Sequence, residues 1–181
     1  MNTHKIVITG GPSTGKTSII EKLEEKNLHC LHEVSRKITM EAQRQGVTQL
    51  FLKDPTLFSK KLLEGRIAQY EEAENSEISP VFIDRGIPDI IGYMDYAHQE
   101  ITENFENAAN TYRYQQVFIL PPWHKIHITD NERYENYEQA SDIYHYLLAA
   151  YNRLGYHCIQ VPFGTVEERS QFIQQHVVIT A

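Results

Sequence analysis

Eight residues near the start of the chain, Gly10-Gly11-Pro12-Ser13-Thr14-Gly15-Lys16-Thr17, have the spacing G-x-x-x-x-G-K-[ST]. These residue types at this spacing suit the binding of phosphates. Gly10 and Gly15 let the backbone curl so that successive N–H groups point inward at phosphate oxygens. A helix opening directly after the loop adds its positive dipole end to the same anion. Lys16 can reach the β- and γ-phosphates, and the Thr17 hydroxyl can ligate Mg²⁺. Pro12, Ser13, Thr14 and Ser18 complete the candidate nucleotide-binding set, and Lys16 is also a candidate catalytic residue. An ordinary glycine turn with a chance lysine is the competing reading, and the flanks argue against it. Lys5-Ile6-Val7-Ile8-Thr9 reads as a buried strand, and Ile19, Ile20 and Leu23 fall at helical spacing after the loop.

Other groups that could do chemistry lie further along. Asp84 closes the apolar run Val81-Phe82-Ile83, where an aspartate in a phosphate-loop protein serves the Mg²⁺ shell, directly or through water. Capping of the next helix is compatible with that role. Arg85, beside it, could meet a phosphate or an acidic substrate, or form a structural ion pair. Glu33 could accept a proton from a substrate hydroxyl or bind that hydroxyl; a carboxylate favoured by a helix dipole is the plain alternative. Arg36 could bind acceptor or phosphate, or be solvated. Arg66 and Gln69 share a helix face, which could line an acceptor pocket or face solvent. Arg133 lies in a polar stretch whose closure could set it on the charge developing at a γ-phosphoryl group; pairing with Glu132 or Glu135 competes. His124 and His127 have ligand spacing, but no further ligand is suggested, so a polar lid at about 121–137 is preferred to a zinc site.

The elements that must position these groups alternate. Strands are expected over 5–9, 28–32, 81–84, 116–120 and 157–161. The first helix runs to about Lys26, with Asn27 able to end it. A helical segment follows Arg36 and stops near Gly46. Asp54 is an N-cap, with Pro55 in the first turn of a long helix carrying Phe58, Leu62, Leu63, Ile67 and Tyr70. Arg85 to Asp89 turns into a helix, and another covers 100–113. The 137–154 helix meets its stop at Gly155. Thr165-x-x-Glu168 is a capping box for a last helix expected to bury Val166, the stem of Arg169, Phe172 and Ile173. Such alternation implies an α/β fold: a parallel sheet with helices on both faces and ligands at the carboxyl ends of the strands. The candidate residues follow four of those strand ends.

Composition narrows the classes. The 181 residues suit one domain with a real core. The net charge of −7 and the lack of a basic run argue against nucleic acid as a partner. Cys30 and Cys158 read as small apolar residues in a reducing compartment. No apolar run approaches the roughly 18 residues of a membrane helix, and no signal peptide is expected ahead of the first strand. A cytoplasmic protein without membrane insertion is the expectation.

Taken together, the phosphate loop with Ser18, His32-Glu33-Val34-Ser35-Arg36, Asp54-Pro55 with Phe58 and Arg66-x-x-Gln69, Phe82-Ile83-Asp84-Arg85-Gly86-Ile87-Pro88-Asp89, Leu120-Pro121-Pro122-Trp123 and Asp130-x-x-Arg133 resemble a family of small AAA-type ATP-binding proteins described as ATPases or kinases. More distantly, the layout is similar to the nicotinamide-riboside kinase domain of a bacterial NAD regulator and to deoxynucleoside and thymidylate kinases. The resemblance implies a three-layer, nucleoside-kinase-like P-loop fold with strand order 2-3-1-4-5. It implies ATP and Mg²⁺ as cofactors, Lys16 and Thr17 on phosphates and metal, Asp84 in the metal shell, Glu33 at the acceptor and Arg133 in the lid. Two departures matter. Gly86 stands where the thymidylate-kinase pattern has tyrosine, and neither the sensor segments nor the helical domain of a hexameric motor is evident. The expected function is transfer of the γ-phosphoryl group to an unidentified nucleoside-like or other hydroxyl acceptor, touching Glu33, Arg36, Arg66 and Arg85. The alternative is a nucleotide-binding switch or slow NTPase acting on a protein or lipid partner. Neither the acceptor nor the oligomeric state follows from the sequence.

Overall fold

The computed structural model describes residues 3–127 and 135–179. Five strands, β1 (Lys5–Gly10), β2 (His29–Leu31), β3 (Val81–Asp84), β4 (Gln116–Leu120) and β5 (Cys158–Gln160), form one parallel sheet in the order 2-3-1-4-5. This is the order expected from the resemblance. The central strand β1 is buried along its whole length, as its unbroken apolar run requires when both faces are covered.

The side chains of β1 alternate between two cores. Ile6 and Ile8 pack with Ile19, Ile20 and Leu23 of α1 (Lys16–Glu25) and Ile173 of α8 (Val166–His176). Val7 points the other way, joining Ile83, Tyr114 and Tyr151. That second face is covered by α4 (Pro55–Glu74), α5 (Ile87–Tyr96) and α7 (Tyr137–Arg153). The result is three layers, helix–sheet–helix.

Termination signals behave as expected. Asn27 takes a left-handed φ of 61° just past α1, and Gly155 one of 79° past α7. The Asp54 side chain accepts from Leu57 N at 2.9 Å, with Pro55 opening α4. Thr165 and Glu168 form the capping box of α8. Other expectations are corrected. Val166 is 39 % exposed, because the first turn of α8 lies over the site groove and not over the sheet. A four-residue helix, α3 (Leu50–Lys53), precedes α4; it is too short for a periodic signal, and Leu50 is its buried residue. The remaining helices are α2 (Val34–Arg44) and α6 (Glu103–Thr111). His124–Ile126 forms one 3₁₀ turn within the polar stretch expected to be a lid.

Register fixes which strand ends meet. Ile8 of β1 lies beside Asp84 of β3, and Gly10 beside Leu120 of β4. The segments leaving β1, β2, β3 and β4 therefore emerge on one edge of the sheet.

Candidate functional site

Between β1 and α1 the loop takes the conformation its glycines permit. Gly10 has φ +151°, and a Cβ there would sit 2.7 Å from the Leu120 carbonyl oxygen. Gly15 has φ +84°, in the left-handed region. The Thr14 hydroxyl donates to the Gly11 carbonyl at 2.9 Å, closing the loop on itself. Lys16 opens α1 and is 8 % exposed, and its ammonium donates to Gly11 O at 3.3 Å. Burial, and then the positive charge of Arg85, pull its pKa down to about 8, against the opposing carboxylates of Asp84 and Glu33. A phosphate arriving there would meet a poorly solvated cation.

Glu33 is the N-cap residue of α2, and its carboxylate lies between two arginines. Arg85 Nε donates to Oε2 at 3.0 Å and Arg66 Nη2 to Oε1 at 3.4 Å. Burial would raise its pKa, but Arg85, Arg66 and Lys16 outweigh that and hold it at about 2. Arg85 has φ 69°, unusual for a residue with a side chain. Its conformation is held at several points. The backbone N–H donates to Ile8 O at 3.0 Å, and Nη1 donates to Asp89 Oδ1 at 3.1 Å. The guanidinium also lies 5.3 Å from the Tyr93 ring centroid.

Arg66 and Gln69 do not face solvent. They are 3 % and 8 % exposed. Arg66 Nη1 also donates to the Asp84 carbonyl at 3.4 Å, and Gln69 Nε2 to the His32 carbonyl at 2.6 Å. The solvated-face reading fails because α4 packs this polar edge onto the segments leaving β2 and β3, where backbone carbonyls await donors. Arg36 is exposed, with Nη2 3.5 Å from the Thr17 hydroxyl, so it reaches the mouth of the phosphate loop.

Asp84 is 5 % exposed, and its Oδ1 has no hydrogen-bond partner among the described residues. Burial and the nearby Glu33 raise its pKa. An enclosed carboxylate oxygen without a partner, on the strand next to β1, fits a divalent cation that takes its other oxygens from Thr17, phosphates and water. No group of three or more His, Cys, Asp or Glu side chains with metal-binding geometry occurs among the described residues.

One long groove collects these groups. It is lined by Pro12 to Ser18, Glu33, Arg36, Arg66, Arg85 and Asp89. Gly10, Gly11 and Asp84 are not among the residues that line it. On the Glu33 side it widens between α2, α3, α4 and α5 over Phe51, Phe58, Leu62, Ile90, Tyr93 and Met94. Arg133 falls outside the described residues, with the rest of 128–134 in the expected lid.

Two residues not singled out from the sequence belong to this site. Asp89 is 1 % exposed and accepts from Thr9 Oγ1, Tyr151 OH, Gly86 N and Arg85 Nη1. It ties the strand before the phosphate loop to the Asp84-Arg85 turn and to α7. Arg169, 2 % exposed, donates Nη1 to the Thr14 carbonyl at 2.9 Å, pinning α8 to the loop. Asp89 sits in the quoted Asp-Arg-Gly-Ile-Pro-Asp run and could have been flagged as its second carboxylate. Arg169 carried no such signal, because its partner is a backbone carbonyl 155 positions away.

Comparison with known proteins agrees with this fold. Solved structures that share the fold include the following three. A deoxyadenosine kinase from M. mycoides, with products dCMP and dCDP bound, aligns at TM-score 0.67 and 15% identity over 94% of this chain and 97% of its own. NadR protein in complex with NR aligns at TM-score 0.69 and 17% identity over 99% of this chain and 53% of its own. The thymidylate kinase from Ehrlichia chaffeensis aligns at TM-score 0.60 and 17% identity, covering 97% and 98% of the two chains. No curated protein sequence matches. The family model described as an AAA domain matches residues 5–169. With that match spanning most of its length, and a P-loop kinase fold beneath it, the chain belongs to the AAA-domain family.

Proposed function

We propose that the protein is an ATP- and Mg²⁺-dependent small-molecule kinase that transfers the γ-phosphoryl group to a hydroxyl of a nucleoside-like or other compact acceptor. The observation carrying this reading is the continuity of one groove from Lys16, past Glu33 and Arg85, into an aromatic and apolar recess. A hydrolase needs only water beyond the γ-phosphate. A recess walled by Phe51, Phe58 and Tyr93 is suited to an organic acceptor. The kinase fold of the relatives supports the same class.

In this reading the loop N–H groups and Lys16 cradle the phosphates. Thr17 and Asp84 would hold Mg²⁺, which supplies neutralisation of charge on the phosphate oxygens. Glu33, held at about 2, is a poor proton acceptor at neutral pH. Its role is to accept a hydrogen bond from the acceptor hydroxyl and aim it. That suffices for a loose phosphoryl transfer, where positioning and electrostatics do most of the work. Arg85 and Arg66 keep Glu33 ionised and in place. Residues 1–181 act as one nucleotide-binding domain, with the stretch at about 121–137, including Arg133, as its lid.

Glu33→Gln separates the two halves of the site. The variant should keep the wild-type thermal stabilisation by MgATP and lose transfer by about 10²-fold or more against a panel of nucleosides and cofactor precursors. Undiminished transfer by Glu33→Gln would remove Glu33 from the acceptor site.

A further inference from the structure

Arg169 is a cation in a place that disfavours one. Its backbone N–H closes the first turn of α8 on Thr165 O at 3.0 Å, so the residue stands at the positive end of that helix. The side chain is buried, and burial lowers its pKa. It forms no ion pair among the described residues. The two carboxylates just before it in sequence are turned elsewhere. Glu167 meets Lys22 and Lys26, and Glu168 accepts from the Thr165 N–H and hydroxyl. Nε and Nη2 lack hydrogen-bond partners among the described residues. The Trp123 ring, with its centroid 6.0 Å from the guanidinium carbon, offsets part of the cost. A buried charge without a counter-charge is strongly destabilising, and residues that break such local rules mark functional sites.

What the guanidinium does reach is the back of the phosphate loop. Nη1 donates to the Thr14 carbonyl at 2.9 Å, and it lies 3.0 Å from where a Cβ on Gly15 would stand. The Thr14 carbonyl and the Gly15 N–H belong to one peptide unit. That unit is trans, so its N–H points away from Arg169. The Gly15 N–H donates to no described residue. Gly15 is the N-cap of α1, and behind it come the N–H groups that a helix leaves free in its first turn. A cation on the carbonyl side polarises the peptide and makes its N–H a stronger donor. An anion accepting from that N–H completes a line of cation, peptide and anion, and supplies the counter-charge that Arg169 lacks.

We infer that Arg169 is a positioning residue of the phosphate site: its buried, unneutralised charge acts through the Thr14–Gly15 peptide to strengthen the loop's hold on a polyphosphate. The inference rests on the phosphate-binding reading of the loop proposed above. It adds that the charge of Arg169, beyond its grip on the loop, contributes to binding the anion.

Two variants separate charge from grip. Arg169→Lys keeps the charge and an N–H donor for the Thr14 carbonyl. Arg169→Gln keeps an N–H donor and drops the charge. Binding of magnesium tripolyphosphate and of MgATP is measured by titration calorimetry, and the folding of each variant by urea denaturation. Arg169→Lys should bind both ligands within about threefold of the wild type, and Arg169→Gln should bind both about tenfold more weakly. Wild-type affinity in Arg169→Gln overturns the inference. So does equal weakening in the two variants, which would leave Arg169 a structural pin and nothing more. Should Arg169→Gln fail to fold, Arg169→Lys decides alone, and a loss beyond about threefold overturns the inference. Failure of the wild type to bind either ligand would sink the phosphate-loop reading itself, and the role of Arg169 with it.

Discussion

Glu33 shows how a residue's chemistry depends on neighbours that sequence spacing cannot place beside it. Its position after the second strand was legible, and so was its candidacy at the acceptor. The two guanidinium groups that hold it ionised come from Arg66 and Arg85, 33 and 52 positions away. Those contacts decide between abstracting a proton and aiming a hydroxyl. The folded pKa is depressed from an ordinary 4.5 to about 2, so the stabilisation is fully present above 4.5 and is lost as pH falls through about 2. Wild type minus Glu33→Gln stability, measured by denaturant titration below the range in which Lys16 titrates, should therefore shrink as pH falls below about 4.5. A difference that stays constant from about pH 5 down to about 3 would mean that Glu33 is not held ionised by its arginines. Asp89 makes a second case. Four donors converge on it, so Asp89→Asn turns an amide N–H₂ toward donors and removes one of the two carboxylates that Arg85 meets. We expect a loss of about 2–4 kcal/mol in chemical denaturation. A loss below about 0.5 kcal/mol would show that the hub does not hold the fold.

At the scale of elements, local signals survived and lateral ones did not. Caps are written in a few adjacent residues, which is why Asn27, Asp54, Gly155 and the Thr165–Glu168 box could be read directly. Asp54→Ala removes one bond to the Leu57 N–H and should cost about 1 kcal/mol, leaving nucleotide binding untouched, since Asp54 lies outside the groove lining. An equal melting temperature for wild type and variant would contradict the cap. Burial of a polar helix face is not a local property. Arg66 and Gln69 look solvated from their spacing and become interior only when α4 lies across the ends of β2 and β3. The same reasoning explains Val166, apolar by type but placed over a groove.

For the whole molecule, alternation of strands and helices made the parallel α/β architecture legible. The strand order came through the family resemblance, because periodicity carries no information on which strand pairs with which. That order separates Cys30 and Cys158. They lie in β2 and β5, the opposite edges of the sheet, four strand spacings or roughly 19 Å apart, far beyond the Cα separation a disulfide spans. Both are free, and burial pushes each thiol up to about 12. The melting temperature should therefore be the same with and without reductant; a drop on reduction would point to an intermolecular bond. No helix among the described residues is long and apolar enough to cross a membrane. The sheet order also brings the phosphate loop, Glu33 and Asp84-Arg85 to a single edge, and on this convergence the kinase proposal depends. Acceptor-dependent formation of ADP, with the phosphorylated acceptor identified by mass spectrometry, tests it most directly. The account predicts that at least one hydroxyl compound of the nucleoside class raises ADP release well above hydrolysis and carries the added phosphoryl group. ADP release unchanged by every acceptor, with no phosphorylated product, would contradict it.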